Sequence, residues 1–235
     1  MTYGDPTRGA TTKADGAYLE MRNQILNGML EPGSRVDYVQ LSASLGVSIT
    51  PLREALRRLE ADHLVIRNAH RDVVVAALTR EEAAELVTVR RELDLLAARL
   101  AATQMTQDEL ARARNLVASQ DEEEALRYLR DGGIPVAVGG MLSVNRAFHR
   151  MVYCGSHNQV LIQYRDAIST RTERYVIMAR QLNTVPPEAY RLMHEKLLAA
   201  LEGRDAEAAA DIMQAHYREL DLDFANVIFG QVPAS

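Results

Sequence analysis

Four side chains in the C-terminal half are of the types a divalent metal takes. Asn145 and His149 are one helical turn apart, so a helix projects both from one face. His194 lies in Tyr190-Arg191-Leu192-Met193-His194-Glu195, and His216 in Gln214-Ala215-His216-Tyr217. Three imidazoles on three helices, plus an oxygen donor, suit zinc, and nickel or manganese where water fills further positions. Spacing alone leaves a plainer reading beside this one, because helical histidines are commonly capping or half-buried residues. Three histidines with an open position also describe hydrolytic zinc sites, which need a general base beside the metal. No His-Glu-x-x-His motif occurs, and Glu195 sits about 100° around the helix from His194. The expectation is therefore a binding site and no enzyme.

A second constellation lies near the N-terminus. Leu45-Gly46-Val47-Ser48 reads as the turn of a helix-turn-helix, whose second helix enters the major groove with its N-terminal residues nearest the bases. Gly46 permits the left-handed backbone of a tight turn. Ser48 and Thr50 bring hydroxyls to the start of that helix, suited to phosphate or base edges. Arg53 and Arg57 lie one turn apart on one face. Between residues 53 and 71 there are five arginines (53, 57, 58, 67, 71) against three acids, Glu54, Glu60 and Asp62. Arginines alone read as a solvated helix face; the complete order of helices and hairpin around them favours DNA. His70 and Arg71 fall at the hairpin tip, where a wing reaches the minor groove.

The elements that position these groups follow from periodicity. Tyr18, Met21, Ile25, Met29 and Leu30 recur at helical spacing up to Pro32-Gly33. A short amphipathic segment runs from Asp37 to Leu45. Pro51 fits the first turn of the next helix, and Leu52, Leu56 and Leu59 share its face. Leu64-Val65-Ile66 and Val73-Val74-Val75 read as two strands about a polar turn. From Thr79 the pattern is helical: about 80–102, 107–130, 141–154, 157–181, 187–202 and 205–229. Thr79 with Glu82, and Thr106 with Glu109, read as capping boxes, and Asp205 as an N-cap. The fold class is mainly α: an N-terminal winged helix-turn-helix and a C-terminal all-helical bundle. The expected boundaries are a tail over 1–13, a DNA-binding domain over 14–78, a helical domain over 79–230 and a tail over 231–235.

Composition agrees and excludes. The 235 residues are 47% hydrophobic, enough for a globular core, and the net charge of −5 hides any local basic patch without excluding one. Cys154 is the only cysteine, so no internal disulfide forms, and it reads as a packing residue. No apolar run has the length of a membrane span, and the first residues lack the apolar stretch of a signal peptide. The expectation is a soluble cytoplasmic protein without a membrane partner.

The run Leu45-Gly46-Val47-Ser48-Ile49-Thr50-Pro51-Leu52-Arg53-Glu54-Ala55-Leu56-Arg57-Arg58-Leu59-Glu60 resembles the signature of the GntR family of bacterial regulators, as does the Leu-Glu-Pro-Gly that precedes it. The resemblance implies that Ser48, Thr50, Arg53, Arg57 and, in the wing, Arg71 meet DNA. Two positions depart from the family pattern. Ile49 stands where an arginine usually contacts DNA, and Asp72 where the wing tip commonly has glycine, so a negative charge there opposes phosphate. The segments around Asn145 to His149, His194 to Asp205 and His216 resemble the FCD ligand-binding domain of the FadR-type branch. This implies a metal held by Asn145, His149, His194 and His216, zinc first, nickel or manganese otherwise. A neutral Asn145 leaves the metal formally dicationic and favours an anionic ligand. Arg90 matches an arginine that often faces the FCD cavity, and Arg171 and Arg174 are further candidates for a small organic-acid effector, with surface salt bridges as the plain alternative. His63 and His157 read as structural.

Together these imply a homodimeric regulator on a near-palindromic operator of double-stranded DNA, a repressor by the family's commoner arrangement. Its affinity for DNA would shift only as far as the carboxylate effector's affinity differs between two states. A metal-responsive regulator, with the ion itself as signal, is the rival; a metal-dependent hydrolase is the remoter one.

Overall fold

The computed structural model describes residues 12–68, 72–134, 141–182, 187–219 and 228–230. The chain divides into two compact units, one over Met1–Leu78 with Arg130–Ala137, the other over Thr79–Leu129 with Val138–Ser235.

The first unit holds α1 (Lys13–Leu26), α2 (Tyr38–Leu45), α3 (Ile49–Ala61), β1 (Val65–Arg67) and β2 (Val73–Val75). Thr12 and Asp15 close a full capping box at the start of α1. Hydrogen bonds from Thr12 hold the Asp15 carboxyl low, at about 2, with Arg58 adding to the effect. α1 ends at Leu26, earlier than the hydrophobic spacing suggests, because Gly28 takes a left-handed turn. Met29 is then exposed, while Leu30 still packs on the core. Asp37 caps α2 by accepting from the amides of Val39 and Gln40. Leu52, Leu56 and Leu59 of α3 are fully buried against Met21, Ile25, Leu64, Val65 and Val75. The strands pair antiparallel, Val65 opposite Val75 and Arg67 opposite Val73, and Arg35 bridges to Val74 from the other side. β1 begins one residue later than expected and includes Arg67.

The second unit is helical: α4 (Arg80–Gln104), α5 (Gln107–Ser119), α6 (Glu122–Asp131), α7 (Met141–Cys154), α8 (Gln159–Leu182), α9 (Pro187–Glu202) and α10 (Ala206–Glu219). α4 is the hub, packing on α7, α8, α9 and α10. Its buried face carries Leu86, Arg90, Asp94 and Leu95 in the middle and turns small toward the C-terminus, with Ala97, Ala98, Ala101 and Ala102. The segment expected as one helix over 107–130 is two. Gln120 adopts φ 53°, and Asp121 then accepts from the amides of Glu123 and Glu124 to start α6. Thr106 and Glu109 form a complete capping box. Thr79 caps α4, but Glu82 does not close the box: its carboxylate accepts from the Tyr175 hydroxyl at 2.6 Å, and that hydroxyl oxygen accepts the Thr79 amide at 3.1 Å. Asp205 accepts from the Ala208 amide and so caps α10. No helix among the described residues is long and apolar enough to cross a membrane.

Candidate functional site

In the first unit, Gly46 ends α2 with φ 63°, making the left-handed turn that sets α3. The side chain of Ser48, the N-cap of α3, makes no capping hydrogen bond, and Ser48 and Thr50 are exposed. The first turn of α3 thus offers amides and hydroxyls together, an arrangement suited to phosphate. Arg53 and Arg57 are exposed on this helix, Arg57 beside Glu54 at 3.1 Å. Arg58 is committed elsewhere: it pairs with Asp15 and stacks over the Tyr18 ring at 4.2 Å. Arg67 pairs with Glu60 at 3.2 Å. Ile49 is half-buried and packs on the core, so the residue lacking the usual donor has become part of the hydrophobic support of α3. His70 and Arg71 lie outside the described residues. Asp72, just before β2, pairs with Arg35 at 2.8 Å.

In the second unit, Asn145 and His149 of α7, His194 of α9 and His216 of α10 are all buried. Their rings converge: centroids lie 4.7 Å apart for His149 and His216, 5.4 Å for His149 and His194, and 5.9 Å for His194 and His216. Imidazoles sharing one ion at about 2.1 Å would have centroids about 4.5–5.2 Å apart for octahedral to tetrahedral angles. Among the described residues no closed coordination group is formed; on this scale the widest pair would have to draw in by about 1 Å. The donor chemistry fits. Asn145 Oδ1 and both ring nitrogens of His149 are buried with no hydrogen-bond partner among the described residues, a costly state that a cation relieves. Burial, then the neighbouring His216 and His194, push the His149 pKa well below 6.5, so the ring is neutral and its lone pair available.

Beside the histidines lies a charged network that the sequence reading missed. Asp94 of α4 is buried and receives two hydrogen bonds from Arg165 of α8, the Tyr217 hydroxyl at 2.6 Å, and an ion pair from Arg90 at 3.6 Å. Burial alone pushes its carboxyl up, yet Arg165 and then Arg90 outweigh that and hold it below 3.8. Both Asp94 and Arg90 act electrostatically on His149, and Tyr217 is the neighbour of His216. Arg90 is thus brought to the histidine cluster. Arg171 pairs with Glu82 at 2.6 Å, whereas Arg174 is buried next to Glu173, which pairs with Arg146, the neighbour of Asn145. A signal for Arg165 existed, since Leu161, Arg165, Thr172 and Tyr175 follow the buried period of α8. Asp94 follows Arg90 by one turn on the buried face of α4. His157 pairs with Glu109 at 3.0 Å, and His63 is an exposed residue with left-handed backbone at φ 57°.

The family model of the FCD domain matches residues 85–219, and that of the bacterial regulatory proteins of the gntR family matches residues 13–75. The chain is 29% identical over 204 residues to the Nta operon transcriptional regulator of Aminobacter aminovorans, covering 86% of this chain and 89% of the relative. It is 28% identical over 193 residues to a probable D-xylose utilization operon transcriptional repressor of Paenarthrobacter nicotinovorans, covering 82% and 80%. The solved structure of E. coli McbR/YncC shares the fold with a TM-score of 0.64 and 24% identity, over 92% of this chain and 100% of that one. The chain is a DNA-binding transcriptional regulator, not an enzyme, and it belongs to the GntR family, with a winged helix-turn-helix followed by an FCD domain.

Proposed function

We propose that this regulator is a homodimeric repressor whose operator affinity is set by a small organic acid bound at a divalent metal in the helical unit. The observation that carries this reading is the buried convergence of His149, His194 and His216 beside Asn145, with Asn145 Oδ1 and both His149 nitrogens lacking hydrogen bonds among the described residues. These four residues hold the metal, zinc first and nickel or manganese otherwise. Bound there, the ion supplies a positive centre with open positions for a carboxylate. All four protein ligands are neutral, so nothing in the first ring of donors cancels that charge. Arg90 adds a cation at the same place; Asp94, which Arg165 already neutralises, orients it. Arg171 is held by Glu82 at the joint between α4 and α8, and buried Arg174, next to the Glu173 that pairs with Arg146, stays a candidate for the effector beside Asn145.

On the DNA side, Ser48 and Thr50 meet the backbone at the start of α3, and Arg53 and Arg57 face the groove; Arg71 belongs to the wing. Two copies then read paired half-sites. The related repressor of the D-xylose operon supports the sign of regulation.

The test is a titration of purified, metal-stripped protein, first with Zn2+, Ni2+ and Mn2+, then with a panel of mono-, di- and tricarboxylates, following thermal stability and binding to DNA from upstream of its own gene. The expected result is stabilisation by metal, lost in His149→Ala and His194→Ala, and a carboxylate effect on DNA binding that requires the metal. If metal alone switches DNA binding and no acid changes it, the ion is the signal and the effector reading fails.

A further inference from the structure

The winged unit carries a cation that none of the DNA-reading positions accounts for. Arg35 is pinned through its backbone, bridging to Val74 of β2, while its side chain is 73% exposed. Its guanidinium reaches Asp72 at 2.8 Å, at the end of the wing turn. That turn is closed twice between Asn68 and Asp72. The Asn68 amide donates to the Asp72 carbonyl at 2.9 Å, and the Asp72 amide donates to Asn68 Oδ1 at 2.9 Å. The Asp72 backbone is therefore tied into the turn and its side chain is 32% exposed, whereas the long side chain of Arg35 is mostly exposed. A carboxylate oxygen accepts from a guanidinium as a phosphate oxygen does.

We propose that Arg35 is a DNA-backbone contact of the wing, held in the free protein by Asp72 as an internal stand-in for phosphate. On binding, the guanidinium exchanges the carboxylate for a phosphate oxygen. An exposed ion pair is weak and screened by salt, so it opens readily. The phosphate contact that replaces it also releases a condensed counterion, which the internal pair does not. Asp72 then sets the threshold: it keeps the wing cation neutralised away from DNA and lowers sequence-independent binding. The same logic accounts for an acid at a turn position where a charge opposes DNA.

The test uses the full-length protein and a short mixed-sequence duplex, with affinity followed by fluorescence anisotropy across salt concentrations. Each phosphate contact contributes about 0.9 to the slope of log affinity against log salt, so loss of one makes the fall in affinity between about 50 and about 200 mM salt roughly 3.5-fold smaller. Arg35→Gln is expected to show that reduced slope, and Arg35→Lys to keep the wild-type slope. The Arg35 side chain is mostly exposed, so neither variant opens the core. Asp72→Asn is expected to bind the duplex more tightly at fixed salt, and that gain is expected to shrink in the Arg35→Gln background. A wild-type slope in Arg35→Gln overturns the proposal. So does an Asp72→Asn gain of equal size with and without Arg35, since Asp72 then acts by general repulsion.

Discussion

Replacing Asp94 by Asn keeps the shape of the side chain and removes its charge. In the structure that carboxylate receives the Arg165 guanidinium on both oxygens, accepts the Tyr217 hydroxyl and faces Arg90, all in the interior. The variant leaves two buried cations without their counter-charge. Breaking a buried pair from one side costs about 3–5 kcal/mol, mostly the penalty of the stranded partner. For a helical unit of this size each kcal/mol shifts the melting midpoint by about 2–4 °C, so a fall of roughly 6–20 °C is expected. Calorimetry of the full chain reads this on the larger transition, that of the helical unit. The sign with pH is also fixed. The folded carboxyl lies below 3.8, so its contribution is present above that value and is lost as pH falls through the lower folded value. Asp94→Asn should flatten that acid limb. A further control separates charge from packing: Asp94→Leu with Arg165→Met should be more stable than Asp94→Leu alone, because the second change removes a stranded cation. A loss below about 1 kcal/mol in Asp94→Asn, the scale of an exposed pair, would show that water or a rearranged Arg165 already screens the site, and would refute the reasoning.

Gly155→Ala should destabilise the helical unit by about 1–3 kcal/mol, because an added Cβ would meet Met105 Cγ at 2.3 Å and the Met151 carbonyl at 3.1 Å; chemical denaturation measures it. Ile49→Arg should tighten DNA binding or change its sequence preference, and lower the melting midpoint of the winged unit, because Ile49 packs on that core; unchanged binding in a gel-shift comparison counts against a reading role for the first position of α3. Saturating metal at about 100 times its Kd should stabilise the protein by about 2.7 kcal/mol, with EDTA reversing the effect and His149→Ala abolishing it. Thr79→Ala should cost about 1 kcal/mol, while Tyr175→Phe should cost a comparable amount although it lies far away in sequence, because the Thr79 amide and the Glu82 carboxylate both rest on that hydroxyl.

The contrast between the histidines and Asp94 shows what the sequence can and cannot disclose. Asn145 with His149, His194 and His216 are rare residue types at spacings that one helix face or a family pattern makes readable, and the fold buries them together. Asp94 has a common type, and its partners Arg165 and Tyr217 are fixed by how α8 and α10 lie across α4, information that no local window contains. The same holds for Glu82. A capping-box pattern is local, and the Thr79 half of it formed, but a tertiary partner, Tyr175, outbid the local one for the glutamate. The break at Gln120 was hidden for the opposite reason: a left-handed glutamine has no glycine to announce it, and only Asp121 marks the new start. Ile49 joins the two cases. Read as a missing arginine it is a loss of DNA contact; seen packed on the core it is also a gain in support for α3. A substitution at a reading position is therefore a trade between two surfaces of one helix, and Ile49→Arg measures both sides of it, binding in one assay and stability in the other.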